Sequence, residues 1–463
     1  MSDHPDGNTS NPNGDSSVLP PDLRQRGQTL IIRTAVSNSM LTELAKAQVG
    51  QVFLLSLGAT PWHIGIQATL NRLAPMAQLA GLKVVHRTGK SRLAAAGYLL
   101  VLLPLACLVA LTFVQGMIAP TVAVFAGIAA YAGMAYTGQF ANTSWWPLLQ
   151  DVTAGEPKGV FFARLRTRLR TVELVVPMLL SWYIAAAVLP WRFAVPFALG
   201  ALATLAAAMF MRRMPERPLA TPQMGLLPRM RLALKVRSVR AYLRLVTQSF
   251  FTEGLILPFF VVMLRSRGLP DAYIVLTGAA AAAGNVAGLQ LWARSVDTHG
   301  GRPALSMTLL GVALQGLAWL AVPTVPAGAT HLAAIWPLLA WAMGFYLLWG
   351  FFRGGFLMGR TQFLLDAIPH EHQTDGFTLV RLAEAVGGGS GAFLGGLAFN
   401  ALTVHPTTWL GIDGRALYLA AAQLAMVLVW PAKTGLAGHA DQTPARQFLA
   451  NAWQILLGRQ DRP

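Results

Sequence analysis

The sequence predicts an all-α polytopic membrane protein of about twelve transmembrane helices, arranged as two pseudo-symmetric bundles of six helices. Hydrophobic residues make up 54% of the 463 residues and charged residues only 12%, a composition too apolar for a soluble protein of this length. The apolar residues form runs of about 20, the length that crosses a bilayer. Short charged segments separate these runs, and several of them recur in the second half of the chain.

The apolar runs form two groups of six, separated by a polar and basic interval. The first group lies near residues 36–58, 62–84, 93–114, 119–148, 169–189 and 191–211. The second group lies near residues 243–264, 273–294, 303–323, 333–363, 377–402 and 414–431. An even number of crossings places both ends of the chain on the same side of the membrane.

These groups define five predicted segments. Residues 1–30 are rich in Asn, Ser, Pro, Asp and Gly and read as a disordered cytoplasmic tail. Residues 31–212 form the first six-helix bundle, residues 213–240 a basic cytoplasmic linker, and residues 241–431 the second bundle. Residues 432–463 form a cytoplasmic tail whose apolar positions, from Phe448 to Leu457, share one face of an amphipathic surface helix.

The basic residues set the predicted orientation. Lys and Arg crowd one set of loops, from Lys83 to Arg92, from Lys158 to Arg170 and from Arg212 to Arg240. The opposite loops are short and carry few bases. Because positive residues are retained on the cytoplasmic side, we place the basic loops and both termini in the cytoplasm, in the inner membrane of a bacterium.

Composition and motifs exclude several classes of function. The net charge of +17 is spread over loops between apolar runs, so it indicates membrane topology and not a nucleic-acid partner. Cys107 is the only cysteine, which excludes a disulfide framework or a thiolate metal cluster. No phosphate-binding loop, zinc-protease motif or serine-hydrolase motif occurs. We therefore predict no enzyme activity, no cofactor and no metal site.

Three features recur in corresponding positions of the two halves. Glu43 and Glu253 precede the turn after their spans by the same distance, and a basic, Gly-containing turn follows both the second and the eighth span. Leu148-Leu149-Gln150-Asp151 parallels Leu364-Leu365-Asp366, and the spacing from Gly159 to Arg164 equals that from Gly376 to Arg381. Internal repeats of this kind are typical of secondary transporters.

From about Arg33 to Trp430 the chain resembles the major facilitator superfamily. The turn from Asp297 to Arg302 is similar to the signature loop of that family, whereas the first copy departs from it by placing His86 where the acid belongs. The resemblance implies that this loop's acid and arginine close the cytoplasmic side. The predicted cytoplasmic gate residues are His86, Arg87, Asp297, Arg302, Asp151, Arg164, Asp366 and Arg381.

A few ionisable residues fall inside the apolar runs, where an isolated charge costs about 2.5–3.5 kcal/mol. Arg72, beside Asn71, and Arg353 lie near the midplane, either as functional groups or as structural partners of a carboxylate. Glu43 is either paired with Lys46 one turn away or a proton-coupling site. Glu253 has no such basic neighbour along its helix and is favoured for proton coupling, with Glu384 as a weaker candidate.

The fourth span carries Gln139, Asn142 and Trp145, amides beside indoles that could hold a polar organic solute. Alternatively, the amides satisfy each other between packed helices. In the eleventh span, Gly387, Gly391 and Gly395 recur every fourth residue and predict a surface on which another helix packs closely. We assign Arg72, Asn71, Gln139, Asn142, Trp145 and Arg353 to a substrate cavity.

The predicted function is secondary active transport of a small organic solute by alternating access, with proton coupling as the energy source. The two buried arginines favour an anionic solute. The predicted partners are this solute and the lipid bilayer, and the predicted state is a monomer. The alternative is a non-transporting scaffold or assembly factor for a membrane complex, in which side chains would fill the midplane cavity.

Overall fold

A computed structural model of the protein describes residues 19–46, 48–154, 158–187, 191–218, 226–326, 328, 331–368 and 373–427. The first bundle contains α1 (Pro21–Leu41), a π-helical turn (Thr42–Lys46), α2 (Gln48–Ser56), α3 (Pro61–Leu73), a 3₁₀ turn (Ala74–Met76), α4 (Ala77–Thr88), α5 (Lys90–Val114), α6 (Pro120–Asn142), α7 (Trp145–Thr153), α8 (Lys158–Ala186) and α9 (Ala194–Arg212). We call the side of the membrane on which α1 and α5 begin the basic side, and the opposite side the far side.

The second bundle follows a short helix, α10 (Leu226–Lys235). It contains α11 (Arg237–Ser266), α12 (Asp271–His299), α13 (Gly301–Gln315), a 3₁₀ turn (Gly316–Ala321), α14 (Leu332–Ala367), α15 (Gln373–Val404), a hairpin of β1 (Thr408–Trp409) and β2 (Ile412–Asp413), and α16 (Gly414–Leu424). The two strands are antiparallel, with Thr408 opposite Asp413 and Trp409 opposite Ile412.

The predicted architecture of about twelve spans is confirmed. Within the described residues, nine helices are long and apolar enough to cross a membrane, and the short apolar helix Gly414–Val427 lies at the twelfth predicted span. The first and second predicted spans are present as helices that the π turn and the first 3₁₀ turn interrupt. The protein is therefore a multi-pass membrane protein with six spans in each half.

The predicted disordered tail, residues 1–30, extends too far, because α1 already begins at Pro21. Proline in the first turn and an acidic residue beside it both suit a helix N-terminus. Arg24 Nη1 donates to the carbonyl of Ala154 over 2.9 Å, and Gln28 Nε2 donates to the carbonyl of Val152 over 3.1 Å. These contacts hold the start of α1 against the end of α7, which composition alone could not show.

The predicted linker, residues 213–240, is also more ordered than its composition indicated. It contains α10, whose Met230 and Ala233 are buried against Leu379 of α15, and α11 begins at Arg237. The predicted amphipathic helix within residues 432–463 lies outside the described residues and stays a prediction.

The most extensive contacts between the halves are those of α3 with α15 and of α8 with α12. On the far side, the rings of Trp62 and Phe393 lie 5.2 Å apart, and the backbones of Gly65 and Gly396 meet so closely that a Cβ on Gly396 would lie 2.9 Å from Gly65 Cα. Tight packing of this kind closes the far side of the molecule.

Candidate functional site

A charged cluster lies between the two halves, near the middle of the spans. Glu253 of α11 is buried, and its Oε2 lies 3.8 Å from Arg72 Nη1 of α3 while its Oε1 contacts Arg353 Nη1 of α14. Arg72 belongs to the first half and the other two residues to the second, so one carboxylate bridges both bundles. Glu253 has no basic neighbour along its own helix, as predicted, but it is not unpaired, because its partners come from two other helices.

A second carboxylate continues this cluster toward the basic side. Glu384 of α15 lies 2.8 Å from Arg360 Nη1 and accepts a 2.8 Å hydrogen bond from Arg381 Nη1. The ring of Phe250 lies between the two groups, 5.0 Å from the Arg360 guanidinium and 5.9 Å from that of Arg72. Four arginines thus face two glutamates, which leaves an excess of two positive charges.

Arg360 was not predicted from the sequence. It lies seven residues after Arg353 on α14, two helical turns further along the same face, and that spacing was the available signal. Arg353 is 44% exposed at its side chain although it lies within the span, so it borders open space between the helices. A Cβ on Gly388 of α15 would lie 2.7 Å from Arg72 Cδ, so this glycine leaves room for the Arg72 side chain.

The predicted cavity residues separate into three environments. Arg72 and Arg353 join the charged cluster, while Asn142 and Trp145 line a different cavity. Gln139 accepts a 2.7 Å hydrogen bond from Gln78 Nε2 of α4. This amide pair within the first bundle matches the alternative prediction, and the assignment of Gln139 to the substrate cavity stays a prediction.

Asn71 keeps one unsatisfied group. Its Oδ1 is buried and has no hydrogen-bond partner among the described residues. A buried polar atom without a partner is costly, and such atoms in native proteins call for an explanation such as a bound ligand or water. Asn71 therefore stays a candidate for the substrate site beside Arg72.

A cavity of about 350 Å³ opens on the basic half of the first bundle. Its walls come from α1 with the π turn, from α5, from the break between α6 and α7, from α8, and from one residue of the second half. The lining residues are Ala35, Asn38, Ser39, Thr42, Glu43, Tyr98, Asn142, Trp145, Trp146, Leu169, Glu173 and Arg381. The volume lies at the lower end of the range of about 300–1,000 Å³ found for small-molecule sites.

Glu43 reaches this cavity from the π turn. The predicted ion pair with Lys46 is not formed within the part of the chain that the structure describes. Residues three apart lie side by side on an α-helix, but the wider π turn rotates them away from each other. Glu173 of α8 lies within electrostatic range of Glu43 and is itself paired with Arg170.

The predicted gate residues do not form one contact in this structure. Asp151 pairs with Lys90 and Arg217, its Oδ1 lying 3.1 Å from Arg217 Nε, and all three belong to the first half. Arg381 pairs with Glu384, as described above. Arg87, Arg164 and Asp297 have exposed side chains, while the side chains of His86, Arg302 and Asp366 lie outside the described set.

The side chain of Glu216, a residue that follows α9, lies at the N-terminus of α5. Its Oε2 accepts a 2.8 Å hydrogen bond from the backbone N–H of Ser91, and its Oε1 accepts one of 3.0 Å from Ser91 Oγ. A carboxylate at a helix N-terminus satisfies free N–H groups and complements the helix dipole. Here an acid from a distant segment caps α5, next to the loop in which His86 replaces the expected acid.

Two ion pairs join the halves among the described residues. One is Arg72 with Glu253 at mid-depth, and the other is Arg192 Nη2 with Asp271 Oδ2 on the far side, at 2.5 Å. The described part of the basic side has no such pair. The described ion pairs between the halves therefore lie at mid-depth and on the far side.

No family model and no curated protein sequence matches the chain. Solved transporter structures do share its fold. The nucleoside transporter NupG matches with a TM-score of 0.61 and 13% identity, over 90% of this chain and 100% of that one. The peptide transporter POT in complex with sulfate matches with a TM-score of 0.62 and 12% identity, over 88% and 94%.

A bacterial homolog of the human lysosomal transporter Spinster, in an inward-facing and unoccupied conformation, matches with a TM-score of 0.58 and 12% identity, over 96% of this chain and 100% of that one. At such identities the likeness shows the fold alone, which is a two-bundle fold that these solved transporters share.

Proposed function

We propose that this protein is a secondary active transporter that moves a small organic anion across the membrane by alternating access. The observation that carries the proposal is the arginine excess around Glu253 and Glu384, at the interface between the two bundles. An excess of charge in the interior of a membrane is unfavourable unless a group of opposite charge binds beside it. An anionic solute supplies that counter-charge.

The contacts between the halves support alternating access. The far side is closed by the Arg192–Asp271 pair and by the glycine contact of Gly65 with Gly396, while a cavity opens on the other side. With the basic side taken as cytoplasmic, this is a state open to the cytoplasm, in a monomer in the inner membrane with both termini cytoplasmic. An open cavity favours a transporter over a scaffold, in which side chains would fill the space.

We propose proton coupling through Glu253. A substrate anion that binds Arg72 and Arg353 competes with the Glu253 carboxylate for the same guanidinium groups. A buried carboxylate that loses both counter-charges is stabilised by taking up a proton. The anion then replaces Glu253 as the counter-charge of the two guanidinium groups, and the proton moves together with the anion.

The transport proposal is tested by counterflow in proteoliposomes with a panel of organic anions, cations and neutral sugars. We expect anions to exchange, and Arg72→Ala and Arg353→Ala to reduce exchange at least about tenfold, because each removes a charge-assisted contact. Arg168→Ala, an exposed arginine on the basic side, is the matched control. Normal exchange in both cluster variants would refute the anion site.

The coupling proposal is tested with Glu253→Gln. We expect counterflow to persist in this variant, since exchange requires no net proton movement, while anion-driven proton uptake measured with an internal pH dye is lost. Asp22→Asn, which removes an exposed carboxylate at the start of α1, should leave both signals unchanged. Proton uptake that survives in Glu253→Gln would remove this glutamate from the mechanism.

A further inference from the structure

The cavity on the basic half carries opposite charges on different helices. Glu43 and Glu173 lie on the first-half wall, and Arg381 enters from α15 of the second half. Glu173 has Arg170 as a partner, whereas Glu43 has neither an ion pair nor a hydrogen bond among the described residues. A carboxylate without a counter-charge, in a cavity large enough for a small molecule, is an acceptor for a positive group.

The wall beside these acids is aromatic. Trp145 and Trp146 stand at the break between α6 and α7, and Tyr98 of α5 completes the wall. Trp146 is 58% exposed although it lies within a span. Indole and phenol rings attract cations through their faces, and rings placed beside a carboxylate are typical of sites for organic ammonium groups.

Arg381 supplies the opposite charge. It binds Glu384 through Nη1, its side chain is 50% exposed, and it borders the same cavity. A guanidinium has five N–H donors, so the contact with Glu384 leaves donors free for a carboxylate. Asn38 and Asn142 add amide groups between the two charged walls.

We infer that this cavity binds a zwitterion, with the ammonium group of the substrate between Glu43 and the two indoles and its carboxylate group at Arg381. The inference goes beyond the proposed transport function, because this cavity is separate from the cluster of Arg72, Glu253 and Arg353 and takes small amino-carboxylates, which carry no net charge. A metal ion is a poorer occupant, because the described residues contain no group of three His, Cys, Asp or Glu ligands. The rings also favour an organic cation over a bare ion.

The test uses the full-length protein in detergent and a panel of α-amino acids, each paired with the carboxylic acid that lacks its amino group. Binding is measured as the rise in unfolding temperature with ligand concentration. We expect amino acids to bind about tenfold more tightly than their deaminated partners. Glu43→Gln should abolish this preference and leave the deaminated acids unaffected, and Arg381→Gln should weaken both groups.

Two further variants distinguish a loss of ligand binding from a loss of folded protein. Glu43→Asp retains the charge and should retain part of the preference, while Asp22→Asn, at the start of α1, should behave as the wild type. Equal binding of both panels to the wild type, or an equal loss of both in Glu43→Gln, would overturn the inference. Counterflow on the same panel separates the two proposals. Exchange of anions without a preference for amino acids over their deaminated partners would refute only this inference. Binding of amino acids without exchange would refute only the transport proposal.

Discussion

At the scale of single residues, Asp413 organises the far-side loops of the second half. Its carboxylate lies 3.1 Å from Arg267 Nη2 and 2.7 Å from Arg415 Nη2, and its Oδ1 also accepts from the backbone N–H of Arg415. Arg267 donates in turn to Thr324 Oγ1 over 2.9 Å. One acid therefore ties together the turn after α11, the loop after α13 and the hairpin before α16.

These contacts predict acid sensitivity. Partial burial acts to raise the pKa of Asp413, but the hydrogen bonds from Arg415 and the positive charges of Arg415 and Arg267 outweigh it, so the pKa is lowered. A carboxyl group whose pKa is lower in the folded state stabilises the fold above its unfolded value, about 3.9, and loses that contribution as the pH falls. We expect the unfolding temperature of the wild type to fall, in part through this group, as the pH drops to the unfolded pKa of about 3.9 and below it.

Asp413→Asn is the variant that isolates this effect. It should lower the unfolding temperature at neutral pH and reduce its further fall in acid, because the amide cannot titrate. Asp22→Asn, an exposed acid without such ion pairs in the described structure, controls for general acid denaturation. Parallel pH curves for Asp413→Asn and the wild type would show that Asp413 makes no pH-dependent contribution.

The charged residues show which parts of the candidate site could be predicted from the sequence and which could not. Arg72 and Arg353 could be placed in the membrane interior because a charge in an apolar run is conspicuous and must have a partner. Their shared partner could not be found, since Glu253 lies on a third helix and the pairing depends on how the bundles meet. Arg360 was missed because it stands near the end of a span, where a basic residue normally reaches the interface.

At the scale of elements, three spans of the first bundle are interrupted by breaks in their helices. The π turn divides the first, the 3₁₀ turn at Ala74–Met76 divides the second, and residues between Asn142 and Trp145 divide the fourth. Hydrophobic run length predicted these spans but not their breaks. Pro75 accounts for the second break, because proline cannot donate to the helix ladder, whereas nothing in Thr42–Lys46 signals a π turn. Two of the three breaks line the cavity, as interrupted helices do at transporter sites.

The far-side ends of α9 and α12 predict a conformational effect. Asp271, at the first residue of α12, pairs across the halves with Arg192 and within its own half with Arg265 Nε at 3.4 Å. Asp271→Asn removes the charge that joins the halves. We expect this variant to populate a state in which the far side is open, because the closed state alone contains the Arg192 contact.

The measurement is the distance between spin labels at Met117 and Leu410, two exposed far-side positions in opposite halves, after replacement of Cys107 by Ser. Asp271→Asn should shift the distribution to longer distances. Asp22→Asn, which removes an exposed carboxylate at the basic-side start of α1, is the matched control and should not shift it. Unchanged distances in Asp271→Asn would mean that this pair does not hold the far side closed.

At the scale of the whole molecule, glycines decide where helices meet. The predicted stripe of Gly387, Gly391 and Gly395 is confirmed as a packing surface: a Cβ at these positions would lie 2.4 Å from Thr247 O, 2.0 Å from Phe251 O and 2.7 Å from the Phe259 ring of α11. This contact lies within one half. The contact between the halves involves another face of α15, where Gly396 packs against Gly65. The four-residue spacing of the glycines in the sequence could not distinguish these two faces.

The two kinds of glycine contact predict different outcomes for the same substitution. Gly396→Val clashes with the backbone of the other half, and the bundles relieve that clash by separating on the far side. We therefore expect a folded protein with an unfolding temperature near that of the wild type, counterflow reduced at least about tenfold, and longer far-side distances. Gly391→Val clashes within one bundle, where rocking gives no relief, so the fold itself should lose about 1–3 kcal/mol or more.

Gly344→Val is the control for helix propensity, since a Cβ at this α14 position would meet no atom within 4 Å. It should preserve both stability and counterflow. Because all three variants introduce the same β-branched side chain into a helix, their differences report only what each glycine contacts. Normal counterflow in Gly396→Val would contradict closure of the far side as a step of transport. A large loss of stability in that variant would show instead that the two bundles form one inseparable core and do not rock against each other.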